Sequence, residues 1–289
     1  MLDTWRYYCD IQNPMQLKAF IKNMAAKKNL SAQIVMQNYM LERLLERISL
    51  SEYRRNFILK GGFLIATIVG LDIRATMDLD TTIKGFSLTH ESIGAIFEAI
   101  CAMEIDDDIS FSVQRITDIR EGDDYPGLRV SLLAEYLLLK VPLSVDVTTG
   151  DKITPREVEY SFRLLFDDRA ISIMAYNLET IFAEKLETVI SRNIASTRPR
   201  DLYDIHILHT LRHEDYNPAI LKLALEETAT KRGSIDVLPH YKKVMTDILN
   251  SAEMRRFWIG YQREFAYAKD ISFEAVCNTV IEILGRCFG

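Results

Sequence analysis

Two aspartates with one leucine between them, Asp78 and Asp80, follow the pair Gly61-Gly62 in the stretch KGGFLIATIVGLDIRATMDLDTT, residues 60–82. No other feature constrains the chain as much. A strand alternates its side chains, so residues two apart share a face. Two carboxylates on one face repel each other and cost stability unless a cation sits between them. Mg²⁺ suits that place, because it takes oxygen ligands and is commonly held by one or two carboxylates plus substrate phosphates. The glycines add a turn where bare backbone N–H groups at a helix N-terminus can meet a phosphate. The stretch predicts a metal-dependent enzyme acting on a nucleoside triphosphate.

At 289 residues the chain has room for one large domain or two ordinary ones. A hydrophobic fraction of 48% with 26% charged residues is that of a soluble globular protein. No apolar run approaches the roughly 20 residues of a membrane helix. The opening MLDTWRYYCDIQ lacks the basic end and apolar stretch of a signal peptide, so no membrane association and a cytoplasmic location are expected. Cys9, Cys101, Cys277 and Cys287 have no C-x-x-C spacing, which suggests neither a zinc site nor a disulfide framework. The net charge of -6 argues mildly against non-specific grip on nucleic acid. Locally the balance reverses: Lys185, Arg192, Arg198 and Arg200 face a single acid, Glu187, over residues 185–200. The clusters Asp106-Asp107-Asp108 and Asp123-Asp124 read as solvated loop residues.

Along the chain, helical periodicity marks SAQIVMQNYMLERLLERI, with Ser31 as its N-cap. NFILK reads as a buried strand, FLIATIVGL as a helix and ATMDLDTTIKG as a second strand. HESIGAIFEAICAM returns to helix. FSVQRITDI, GLRVSLLAEYL and LSVDVTTG are strand candidates, with EGDDYPG as a turn before the second of them. From Asn177 onward only helices are read: NLETIFAEKLETVISRNI, PRDLYDIHILHTLR, NPAILKLALEETATKR, HYKKVMTDILNSA and a last one over residues 272–285. Sheet first and helices after predicts an α+β fold: a mixed sheet flanked by helices over 1–165, then an all-helical lobe over 166–289.

In LSVDVTT, Val145 and Val147 share one face and Asp146 takes the other, giving a third strand-borne acid. Asp78, Asp80 and Asp146 together are what two-metal phosphoryl or nucleotidyl transfer needs. Arg74 and Thr76 fall on the same alternating face as Asp78 and Asp80, as an ion pair and strand-end hydrogen bond or as support for the triphosphate. Lys185 shares a polar helical stripe with Thr188 and Arg192, beside an apolar face of Phe182, Leu186, Val189 and Ile190. Such a stripe is either solvated or placed to neutralise phosphate charge. Pro199 opens the next helix, with Arg200, Asp201 and Asp204 behind it. His206, His209 and His213 share one helical face without a fourth ligand in register and read as packing or surface residues.

These motifs together resemble the AbiEii/AbiGii-type nucleotidyltransferase toxins of the DNA polymerase β-like superfamily. The carriers are Leu59-Lys60-Gly61-Gly62, then Arg74-Ala75-Thr76-Met77-Asp78-Leu79-Asp80, Asp146 in VDV, Lys185 in AEKLETVISR and Arg200-Asp201-Leu202-Tyr203-Asp204. Phe63 departs from the small or polar residue that often follows the glycines in that family. The resemblance implies GTP or a pyrimidine triphosphate as substrate, two Mg²⁺ ions, and transfer of a nucleotide to an RNA acceptor such as a tRNA 3′ end. It also implies a cognate antitoxin and a phage-defence setting. On this reading Asp78, Asp80 and Asp146 hold metal, and Asp146 also helps activate the acceptor hydroxyl. Gly61, Gly62, Arg74, Thr76, Lys185 and Arg200 serve the triphosphate, and Asp201 and Asp204 position Lys185 or the nucleotide. The patch Arg192, Arg198 and Arg200 is the candidate RNA contact, and a monomer is favoured. The residues leave two rivals: a phosphotransferase acting on a protein hydroxyl with the same core, or a non-catalytic binding module.

Overall fold

The computed structural model describes residues 14–119 and 127–289. Cys9, Asp123-Asp124 and most of the EGDDYPG turn lie outside them. Contacts divide the chain into two units, residues 1–151 with 158–175 and residues 152–157 with 176–289.

The first unit opens with helices α1 (Pro14–Lys28) and α2 (Ala32–Leu50), and the Ser31 hydroxyl caps α2 by accepting from the Ile34 N–H at 3.2 Å. Strands β1 (Phe57–Lys60) and β2 (Leu79–Ile83) enclose helix α3 (Gly61–Val69). Helix α4 (His90–Cys101) leads into β3 (Ile109–Ile119), β4 (Gly127–Tyr136), β5 (Leu139–Thr149), β6 (Val158–Arg163) and β7 (Ala170–Ala175). The seven strands run in the order β3-β4-β5-β2-β1-β7-β6. β1 and β7 are parallel, as are β2 and β5, while the other pairs are antiparallel, so the sheet is mixed as expected. β1 is buried along its whole length and α3 is apolar throughout its core-facing turns, which seats the Gly61 turn in the middle of the unit.

The second unit is helical: α5 (Leu178–Arg192), α6 (Pro199–Arg212), α7 (Pro218–Lys231), α8 (Tyr241–Asn250), α9 (Ala252–Glu264) and α10 (Phe273–Phe288). Asn177, Asn217, Ser251 and Ser272 cap α5, α7, α9 and α10 through side-chain oxygens. α10 packs on α6, α7 and α8, around a core that includes Trp258, Tyr203 and Tyr261.

Four expectations change. β2 begins at Leu79, not at residue 75, because its partner β1 ends at Lys60, where the chain turns into α3, and nothing remains for residues 74–78 to pair with on that side. Asp107 is no solvated loop acid: its oxygens accept from Arg47 Nη1 and Nη2, both at 2.9 Å. Two strands, the short and partly exposed β6 and β7, stand between 151 and 176 where none is expected, and α9 is a further helix beyond those expected. As a result the sheet runs ten residues past the expected boundary at 165.

Candidate active site

The sheet register sets a row of charges across four neighbouring strands. Arg129 on β4 pairs with Asp146 on β5, Asp146 with Asp80 on β2, and Asp80 with Lys60 on β1. Directly paired residues share a face, so two acids stand side by side with a cation at either end. Asp78 lies just before β2, exposed and two residues from Asp80.

Each cation in the row has its own anchor. Arg129 Nε donates to Asp146 Oδ1 at 2.7 Å and Nη2 to Oδ2 at 2.8 Å, a two-pronged clamp. Lys60 Nζ donates to Thr148 Oγ1 at 2.7 Å and to Asp151 Oδ2 at 2.5 Å, and the Thr148 hydroxyl donates to the same oxygen at 2.9 Å. Burial pushes the Asp80 carboxyl up; Lys60 pulls it down, and Asp146 and Asp78 push it up again. The arginine, tied to Asp146, is held above its ordinary value.

The glycine turn fits against this row. Gly61 has φ +65°, in the left-handed region that favours glycine, and a Cβ there would lie 2.1 Å from Asp80 Oδ2. At Gly62 a Cβ would come within 3.0 Å of Arg74 Nη2 and 3.2 Å of Thr76 Oγ1. Arg74 and Thr76 therefore flank the first turn of α3 and do not share the strand face expected of them. Arg74 is buried, and the Thr76 carbonyl is held by Asn38 Nδ2 at 2.7 Å. Lys60 caps α3 without a side-chain bond, and the Gly62 N–H reaches Asp80 Oδ2 only at 3.4 Å. A helix start bounded by a guanidinium and a hydroxyl is a place for an anion.

The donor chemistry at Asp78 and Asp80 fits a hard divalent cation: the side-chain donors are oxygens, and the Asp80 carboxyl, pushed up by burial and then by like neighbours, gains from one. Among the described residues, however, no group of three or more His, Cys, Asp or Glu is gathered to hold a metal. At the row, each Asp146 oxygen accepts from Arg129.

In the helical unit Lys185 Nζ stands 2.8 Å from Asp201 Oδ1 and 2.8 Å from Asp204 Oδ2, with 14% of its side chain exposed. Burial alone would lower its pKa, but Asp201 and Asp204 override that and raise it, so it stays cationic. Lys185 is thus not part of a solvated stripe. Arg192, Arg198 and Arg200 are not buried, and Arg198 Nε lies 3.5 Å from Asp201 Oδ2. His206 Nδ1 bonds to Thr279 Oγ1 at 2.8 Å and His209 Nδ1 to Tyr216 OH at 3.0 Å.

Sequence reasoning misses Arg129, Thr148 and Asp151. The strand alternation of GLRVSLLAEYL places Arg129 opposite its apolar neighbours, but nothing local indicates which acid it faces. Asp151 is 91 residues from Lys60, so the pair needs the fold to be seen.

The model of the family described as nucleotidyl transferase AbiEii toxin, type IV toxin–antitoxin system, matches residues 43–279. No curated protein matches the sequence. Among solved structures, MenT4, nucleotidyltransferase toxin Rv2826c from Mycobacterium tuberculosis H37Rv, is 15% identical, with a TM-score of 0.52 over 94% of this chain and 99% of that one. JHP933 from Helicobacter pylori is 17% identical, with a TM-score of 0.49 over 89% of this chain and 94% of that one. At these identities the likeness to MenT4 speaks for the fold.

Proposed function

The chain belongs to the AbiEii nucleotidyl transferase toxin family, and from that premise we propose that it moves a nucleotide from GTP or a pyrimidine triphosphate onto an RNA acceptor such as a tRNA 3′ end, with Mg²⁺. A nucleotidyltransferase toxin of this family takes a nucleoside triphosphate and is paired with a cognate antitoxin; phage defence is the setting proposed here. No helix among the described residues is long and apolar enough to cross a membrane.

One observation carries the reading: Asp80 and Asp146 stand in register beside a glycine turn into which no side chain fits. Asp78 and Asp80 would hold Mg²⁺, which when bound offsets charge on the triphosphate and polarises its phosphoryl oxygens. The start of α3, with Gly61, Gly62, Arg74 and Thr76, takes phosphate oxygens through backbone N–H groups and the adjoining cation. Asp146 faces the acceptor hydroxyl and favours loss of its proton as the oxygen attacks the α-phosphorus and pyrophosphate leaves. Lys185, kept charged by Asp201 and Asp204, is assigned to the triphosphate together with Arg200, and Arg192, Arg198 and Arg200 to the RNA backbone. Both Asp146 oxygens also accept from Arg129, which orients the carboxylate.

Incubation with each triphosphate labelled at the α-phosphate, Mg²⁺ and total RNA tests the proposal. RNA that becomes labelled with one triphosphate supports it. Label that reaches protein from the γ-phosphate instead marks a phosphotransferase and overturns it.

A further inference from the structure

The row Arg129–Asp146–Asp80–Lys60 bears on how many metal ions the site takes. Two-ion sites place their ions about 3.5–4 Å apart and share carboxylates between them. Asp146 is the third carboxylate expected to hold metal, and Nε and Nη2 of Arg129 each donate to one of its oxygens. This fork is a strong form of ion pair, because two parallel charge-assisted bonds fix both partners. Register keeps it there, since Arg129 and Asp146 are direct cross-strand neighbours and cannot separate without breaking the β4–β5 ladder or turning the side chain out. The guanidinium also feels the charges of Asp78 and Asp80, so it serves the whole acid group.

We propose that Arg129, clamped on Asp146, supplies there the positive charge that a second metal ion would otherwise supply, so that this site takes one divalent cation, at Asp78 and Asp80. The inference rests on the nucleotidyl-transfer reading above and narrows its metal requirement. Arg129 is a positioning residue: it acts through Asp146, fixing the carboxylate toward its neighbour on β2 and supplying positive charge that a dication would supply elsewhere. With 46% of its side chain exposed, Arg129 can be replaced without opening a cavity.

The test counts bound Mn²⁺ per chain by equilibrium dialysis, with saturating α,β-methylene GTP and, separately, α,β-methylene UTP. Wild type should retain one ion. Arg129→Gln, which loses the charge, should retain two, and Arg129→Lys should return the count to one. Two ions on the wild-type chain, or one on a folded Arg129→Gln chain, overturn the inference and leave nucleotidyl transfer standing. If Arg129→Gln does not fold, the wild-type count decides alone. Failure to retain either analogue or any Mn²⁺ overturns both readings together.

Discussion

In the sheet unit, Asp80 and Asp146 stand adjacent with cations only at the outer ends of their row, and the Asp80 carboxyl is pushed up by burial and by its acid neighbours. In the helical unit, Lys185 lies between Asp201 and Asp204, and each acid has the cation within 2.8 Å. The first cluster carries repulsion inside the folded chain; the second has closed its charges on one another. Repulsion of that kind persists in a fold when a bound cation relieves it, whereas a closed ion triad contributes structure and a fixed charge. Neutralising a charge should therefore have opposite consequences for stability in the two units.

The largest effect expected is on activity in the sheet unit. Asp80→Asn keeps the side chain's shape but removes a metal-binding charge, and label transfer to RNA should fall by roughly 10³-fold, the scale of losing one preorganised charge-stabilising group. The melting temperature, followed by circular dichroism, should hold or rise by about 1–3 °C, because like-charge repulsion is relieved. An inactive variant that also melts well below wild type breaks the contrast, since the acid would then be structural.

Lys185→Met should act the other way. It removes the Lys185 charge that Asp201 and Asp204, both buried, share, and removing one partner of a buried ion pair costs about 3–5 kcal/mol. Urea unfolding should show that loss. If Lys185→Met is as stable as Asp80→Asn, the closed-triad description fails.

The contrast is half legible in the sequence. Asp80 and Asp146 announce themselves through strand alternation, Asp78 only through its spacing from Asp80, and Lys185, Asp201 and Asp204 through helical spacing, because those signals are local. The α+β order of elements is equally readable from them. What closes or opens each cluster is not local. Arg129 reaches Asp146 only through the β4–β5 register, and Lys60 meets Asp151 across 91 residues. Arg74 leaves its expected face for a related reason: alternation holds only where a strand has a partner, and Lys60 is the last β1 residue to pair with β2. β6 and β7 escape notice because a six-residue strand with a partly exposed face offers few alternations to count.

The smallest effect is the one that tests whether a charged Asp80 is costly in the fold, through its burial first and its acid neighbours after. The folded value for Asp80 lies above its unfolded one. Its protonation therefore favours the fold below the ordinary carboxylate value, and that contribution is lost as pH rises through the raised value. The amide introduced by Asp80→Asn does not titrate, so the stability of that variant relative to wild type should grow as pH rises above the ordinary carboxylate range and then level off. Glu42, raised to about 7 by burial first of all, titrates nearby but is present in both proteins and cancels in the difference. Urea midpoints of the two proteins, measured in parallel from acid to neutral pH without divalent ions, give the curve. A difference that stays flat or shrinks over that range would falsify the claim that the row holds unrelieved charge. Saturating Mg²⁺ should then reverse the order at neutral pH, because wild type alone gains the full binding energy of an ion that both neutralises Asp80 and prefers the folded chain.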